Sequence, residues 1–295
     1  LNSSLKIALL ILFLGFSAAI AEEEPEEKTL GEKILDKYWN IPEHLINYPT
    51  IELSYGLSVP SLLKADYSGD LALAYSLDLK YASSRYYPFK DIPGRYYYAA
   101  EYLTACNLSS HMKPRQIEPV GLTTDNWRFG AGYRNGYGYE FEGGSQLTLY
   151  HASGIIWSTV DFEGRNSLLD QNPVLKNYDE TTRFGQFCEA GVIYSLSHIV
   201  HVNAAVENMA VNPRFLFGQW LVPAVGELII QRTIDYFGDE ILKSNPNSFP
   251  VINMAVKYAV SYILFNLRKS NMNWPFDSAS PMTYTNFKIG MNLTF

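Results

Sequence analysis

His151, Ala152 and Ser153 set an imidazole two residues from a hydroxyl. On a strand, alternate side chains share a face, so the two groups lie about 7 Å apart at the backbone, and converging rotamers would let the imidazole take the serine proton. Glu163 follows along the chain and would supply a carboxylate to orient the imidazole. The chemistry implied is hydrolysis through a serine nucleophile. The same spacing also arises by chance in strands, where it carries no activity.

A second set of residues shares one phase. If the chain is read as period-two strands, Glu52, Asp78, Lys80, Glu101, Arg128, Arg134, Glu140, Glu189, His201 and Glu207 fall opposite apolar neighbours. So many charges turned inward need pairing or water. They form either a network of ion pairs that stiffens a closed structure or the lining of a narrow polar passage, and in a barrel of about eight strands the network is favoured.

The strands that would position these residues are legible. Ile51, Leu53, Tyr55 and Leu57 alternate with polar or small residues, as do Leu71 to Tyr81 and Trp127 to Phe141, while Tyr96 to Leu108 is less clean. Asn135-Gly136 is a hairpin signal, but a turn there would break the phase, so one long strand is expected with its turn at Gly143-Gly144-Ser145. Gln146 to Asp161 has a blurred phase that suggests a bulge. After a polar loop over Arg165 to Thr182, Gln186 to Leu196 and Val200 to Glu207 alternate again around a turn at Ser197-His198.

The last strand is the cleanest. Phe287, Ile289, Met291, Leu293 and Phe295 alternate with Lys288, Gly290, Asn292 and Thr294. This run resembles the closing strand of bacterial outer-membrane β-barrel proteins, in which a final aromatic and alternating apolar residues are read by the barrel assembly machinery. That resemblance implies an outer-membrane location, with outer-membrane lipid and the assembly machinery as partners. The His151-x-Ser153 spacing is similar to that of lipid A 3-O-deacylases, which implies catalytic roles for His151, Ser153 and Glu163. That family follows its serine with Asn, whereas Gly154 stands here.

Before the closing strand the pattern changes to a helical period. Val225, Leu228, Ile229, Phe237 and Ile241 mark one helix, Val251 to Leu267 marks a second, and Asn245-Pro246 separates them. Asn253, Lys257 and Asn266 interrupt the second helix, so it is not read as a spanning segment by itself. Because a small barrel is filled by its own side chains, the pair is expected to cap one mouth, the outer one by strand parity.

Residues 1–21 read as a signal peptide, with Lys6, an apolar run of about 10 residues and Ala19-Ile20-Ala21 before Glu22. Residues 22–48 form an acidic segment with a short helix over Glu32 to Trp39. Barrel strands are expected over 49–212, the helical insertion and its connection over 213–282, and the closing strand over 283–295.

Composition agrees with a membrane barrel. Twenty-two Tyr and 16 Phe raise the aromatic share to 15%, while a mean hydropathy of −0.09 is too polar for a helical membrane protein. A soluble Tyr-rich β-sandwich is the alternative. A net charge of −7 argues against a nucleic-acid partner. Cys106 and Cys188 are either a disulfide or two small apolar residues, and the phase of Cys188 with Ala190, Val192 and Tyr194 favours the second. No cofactor or metal motif is present. The fold expected is mainly β, an antiparallel transmembrane barrel of about eight strands, or ten, with a two-helix insertion before the last. The role expected is structural or interactive in the cell envelope, the alternatives being a narrow pore and a lipid A-modifying hydrolase.

Overall fold

The computed structural model describes residues 47–63, 71–112, 121–163 and 173–295. The predicted signal peptide and the short acidic-segment helix lie outside the described residues. Eight strands follow one another around a closed antiparallel barrel: β1 (Tyr48–Leu62), β2 (Ala74–Pro88), β3 (Arg95–Ser109), β4 (Thr124–Glu140), β5 (Gln146–Phe162), β6 (Thr182–Ser195), β7 (Val200–Val211) and β8 (Met282–Thr294). Three helices complete the described chain: α1 (Pro173–Lys176), α2 (Phe217–Ser244) and α3 (Phe249–Ser270).

A row of paired residues runs from Pro49 through Ser83, Glu101, Tyr133, Ser153, Cys188, Asn208 and Thr285, and returns to β1 at Val59. From position 49 to position 59 the stagger is ten residues, which for eight strands corresponds to a tilt of about 40°. One rim carries the tight turns after β2, β4 and β6. The other carries the long connections, including both long helices.

Alternation then separates two environments. Outward residues of the uncovered wall, among them Leu53, Leu79, Leu103, Phe129, Phe287, Ile289 and Met291, are 48–68% exposed and apolar. Inward residues are buried and largely polar. β5 pairs with both neighbours without a break, so the expected bulge is absent. Its phase is blurred because His151 and Ser153 are polar yet point outward, in the same alternation as exposed Trp157.

The two long helices require a correction. They do not cap a mouth; α3 packs on the outer face of β4, β5, β6 and β7, antiparallel to α2 as a hairpin. At 28 and 22 residues the helices are about 42 and 33 Å long, enough to run the height of the wall. Their connection reaches the short-turn rim, where Arg95 Nε donates to Pro246 O at 3.1 Å and Tyr139 OH donates to Asn247 O at 2.6 Å. Phe249 docks edge-on against Tyr137, ring centres 4.8 Å apart.

Candidate functional site

Two polar centres arise from this architecture, one inside the barrel and one beneath the hairpin. Inside, Glu52, Asp78, Glu189 and Glu207 meet Lys80, Arg128, Arg134 and Lys288, four carboxylates against four cations, all buried. Lys80 Nζ lies 3.0 Å from both Glu52 and Glu189. Arg134 bridges the same two carboxylates at 2.9 and 3.1 Å. Arg128 Nη1 lies 2.6 Å from Glu207, and its Nη2 lies 3.3 Å from Asp78. Lys288 reaches Asp78, Glu189 and Glu207 at 3.0, 2.7 and 2.8 Å.

Neutral donors fill the remaining acceptor positions. Tyr150 OH donates to Glu189 at 2.9 Å, Thr104 Oγ1 to Asp78 at 2.5 Å and Asn286 Nδ2 to Glu207 at 2.6 Å. The ring of Tyr150 lies 4.2 Å under the Arg134 guanidinium. Above this layer, toward the long-connection rim, Leu175 and Tyr178 are buried with Leu122, Phe162, Val211 and Met282. Tyr178 OH donates to Val211 O at 3.3 Å and accepts from Met282 N at 3.0 Å, which ties the segment after α1 into the mouth.

Three residues expected to face inward do not belong to this network. Glu101 lies on the outer face, its side chain 63% exposed, and pairs with Arg85. Inward positions of β3 are instead Tyr96, Tyr98, Ala100, Tyr102, Thr104 and Cys106. Glu140 keeps the inward phase but ends β4 at the rim and is exposed. His201 faces inward near the same rim, 2.7 Å from Ser195 Oγ, away from the ion pairs. Lys288, Thr104, Tyr150 and Asn286 complete the network without a local sequence signal of their own, except that Lys288 stands in the polar phase of the last strand.

The second centre places polar residues on the outside of a wall that is elsewhere apolar. On α2, Glu227, Gln231 and Asp235 recur every fourth residue, and so do Asn253, Lys257 and Ser261 on α3, with Arg268 following on the same buried face. Residues four apart share a helix face. Both stripes turn toward the barrel, and the apolar residues Val222, Val225, Phe237, Val251, Val256 and Ile263 turn away from it. The polarity of the hairpin is thus inverted relative to a helix on a water-soluble protein.

Each stripe meets complementary groups. Lys257 Nζ lies 2.6 Å from Asp235 and donates to Asn135 Oδ1 at 2.9 Å, while Asn135 Nδ2 donates to Asp235 at 3.1 Å. Arg268 Nη1 donates to Glu227 at 2.7 Å. Ser261 Oγ donates to Glu227 at 2.8 Å and accepts from Gln231 Nε2 at 3.0 Å. Trp220 Nε1 donates to Gln186 at 2.9 Å, and Asn208 Nδ2 donates to Tyr258 OH at 2.7 Å. A cavity of about 260 Å³ remains between the helices and the wall.

His151 and Ser153 both border this cavity, but the catalytic arrangement expected of them is not assembled. His151 Nε2 lies 3.0 Å from Ser261 Oγ. A hydroxyl has one proton, and Ser261 gives it to a carboxylate, so the imidazole is the donor in this contact and not a base. Glu163 lies 12 residues beyond His151, about 40 Å along an extended chain, and pairs with His111 at 2.9 Å. Cys106 faces the lumen and Cys188 the outer wall beneath Phe265, so the two are free and on opposite faces. Among the described residues no three His, Cys, Asp or Glu side chains converge as metal ligands.

No family model and no curated protein matches the chain. Among solved structures, it is similar to Neisserial surface protein A, with a TM-score of 0.36 and 9% identity over 84% of this chain and 97% of that one. It is also similar to Ail, the attachment invasion locus protein of Yersinia pestis, with a TM-score of 0.32 and 11% identity over 84% of this chain and 99% of that one.

Proposed function

We propose that this chain is an integral outer-membrane barrel with a closed lumen, serving as a scaffold or interaction protein of the envelope through its outer wall and rims. The observation that carries this reading is the lumen itself. Four carboxylates and four cations satisfy one another across it, and such a lattice opposes a water-filled passage because opening it would separate paired buried charges. The apolar outer belt supports a lipid surroundings for the wall, since a face so rich in exposed large apolar side chains would drive association in water. Outer-membrane lipid and the barrel assembly machinery are the partners this reading requires. The hydrolase reading lacks support, because His151, Ser153 and Glu163 do not converge.

Single-channel recording of the purified protein in planar bilayers tests the closed lumen. Bilayers that contain the protein are expected to stay silent. Reproducible stepwise conductance would replace the scaffold by a pore.

A further inference from the structure

The hairpin covers a stretch of the outer wall that is polar. Beneath it the outward residues of β4 to β7 include Asn135, His151, Gln186 and Asn208, which bond to the helices, whereas the uncovered wall is largely apolar. A bilayer surrounds a barrel on every side. Helices held against the wall along its strands therefore turn their other face to whatever surrounds the bare wall.

That other face suits hydrocarbon over the depth of a membrane. From Leu221 to Ile241 every described exposed side chain of α2 is apolar, and from Val251 to Ile263 the exposed residues of α3 are Val, Ile, Ala and Tyr. The first run alone rises about 30 Å, the thickness of a hydrocarbon core. By length and composition α3 is also apolar enough to cross a membrane. Charges return only near the ends, with Arg214 before α2, Lys243 at its close and Lys269 at the close of α3, as far as the described side chains show.

Polar side chains away from the wall close on their own helix. Asn266 is exposed, yet its Nδ2 donates to Tyr262 O at 2.9 Å, and Thr233 Oγ1 donates to Ile229 O at 2.9 Å. Where no water is at hand, polar groups must be satisfied within the protein. At the long-connection rim, Trp157 and Phe184 of the wall join Phe215 and Trp220 at the start of α2, Phe184 lying 4.4 Å from Phe215 and 5.1 Å from Trp220 between ring centres. Aromatic groups gather at membrane interfaces, so this one sets a common level for barrel and hairpin. We propose, on the reading of the outer wall as lipid-facing, that α2 and α3 both cross the outer membrane beside the barrel, their polar stripes against the wall and their outward faces against acyl chains.

The test uses the full chain, carrying Cys106→Ala and Cys188→Ala, in phosphatidylcholine liposomes. Val225→Cys, Val256→Cys and Ile263→Cys on the hairpin, Ile289→Cys on the bare wall and Glu142→Cys on the turn after β4 each receive a bimane fluorophore at a position that is exposed. Each is first checked for the mobility difference between boiled and unboiled protein, so that a lost barrel is told apart from a displaced hairpin. Quenching by lipids with a nitroxide on the acyl chain is compared with quenching by iodide present on both sides of the bilayer. The three hairpin positions are expected to match position 289 within about twofold in lipid quenching, and position 142 to be quenched by iodide at least fivefold more than any of them. Hairpin positions as open to iodide as position 142, with position 289 still quenched by lipid, would overturn the proposal and leave the lipid-facing wall standing. Hairpin positions shielded from both quenchers would also overturn it, because a second copy of the chain would then cover the face. Iodide access at position 289 as well would overturn both the proposal and the reading of the wall.

Discussion

Glu189 on β6 and Glu207 on β7 stand directly opposite each other in the barrel register, both fully buried, and the Lys288 ammonium lies between them at 2.7 and 2.8 Å. Two carboxylates in that position would repel each other in a dry interior; the cation on β8 makes their pairing tolerable. Closing the barrel with its last strand therefore also delivers the charge that the preceding strands lack.

Lys288→Met follows directly. It leaves Asp78, Glu189 and Glu207 short of one cation and is expected to destabilise the barrel by about 3–5 kcal/mol, the usual cost of breaking a buried pair. The shift in urea midpoint in detergent micelles measures it. Adding Glu207→Gln to this variant is expected to restore part of the loss.

Removing one member of the Asp235–Lys257 pair beneath the hairpin is expected to be costly in the same way. Replacing both, as Asp235→Leu with Lys257→Met, is expected to cost far less than the sum of the single changes, because no unpaired charge is left behind. A double-mutant cycle on resistance to unfolding reads the difference.

Two glycines make opposite predictions. A Cβ on Gly56 would come within 2.3 Å of Phe287 O and 2.9 Å of Lys288 Cγ, so Gly56→Ala is expected to cost about 1–3 kcal/mol by crowding the β1–β8 seam. A Cβ on Gly226 of α2 would meet nothing within 4 Å, so Gly226→Ala is expected to stabilise by about 0.5–1 kcal/mol through helix propensity.

Replacing His151 and Ser153 by Ala is expected to leave lipid A acylation unchanged, since His151 is committed to Ser261. Mass spectrometry of extracted lipid A from cells carrying each form checks this. A change in acyl number would return these residues to a catalytic role.

Much of the barrel could be read from alternation alone, because β1, β2 and β8 set large apolar residues strictly against polar ones. β3 was harder. Tyrosine and alanine stand on both of its faces, so the alternation could not tell that Glu101 shares a face with Leu103 and not with Thr104. The helices were legible as helices, but not their seat. Asn253 and Lys257 looked like interruptions of an apolar segment; their spacing with Ser261 is the stripe that faces the barrel. The matching signal was the polarity of His151 and Ser153 on β5, which resembled a catalytic pair as long as nothing indicated that a helix covers them. Pairing across the lumen depends on register over eight strands, and no local pattern carries that.

The proposed function places the apolar wall in a membrane around a closed barrel. Gel mobility of boiled and unboiled protein from isolated outer membranes tests it most directly, because closed barrels resist detergent until heated. A mobility shift on boiling is expected, with the protein in the outer-membrane fraction. An unshifted band in the soluble periplasmic fraction would contradict it.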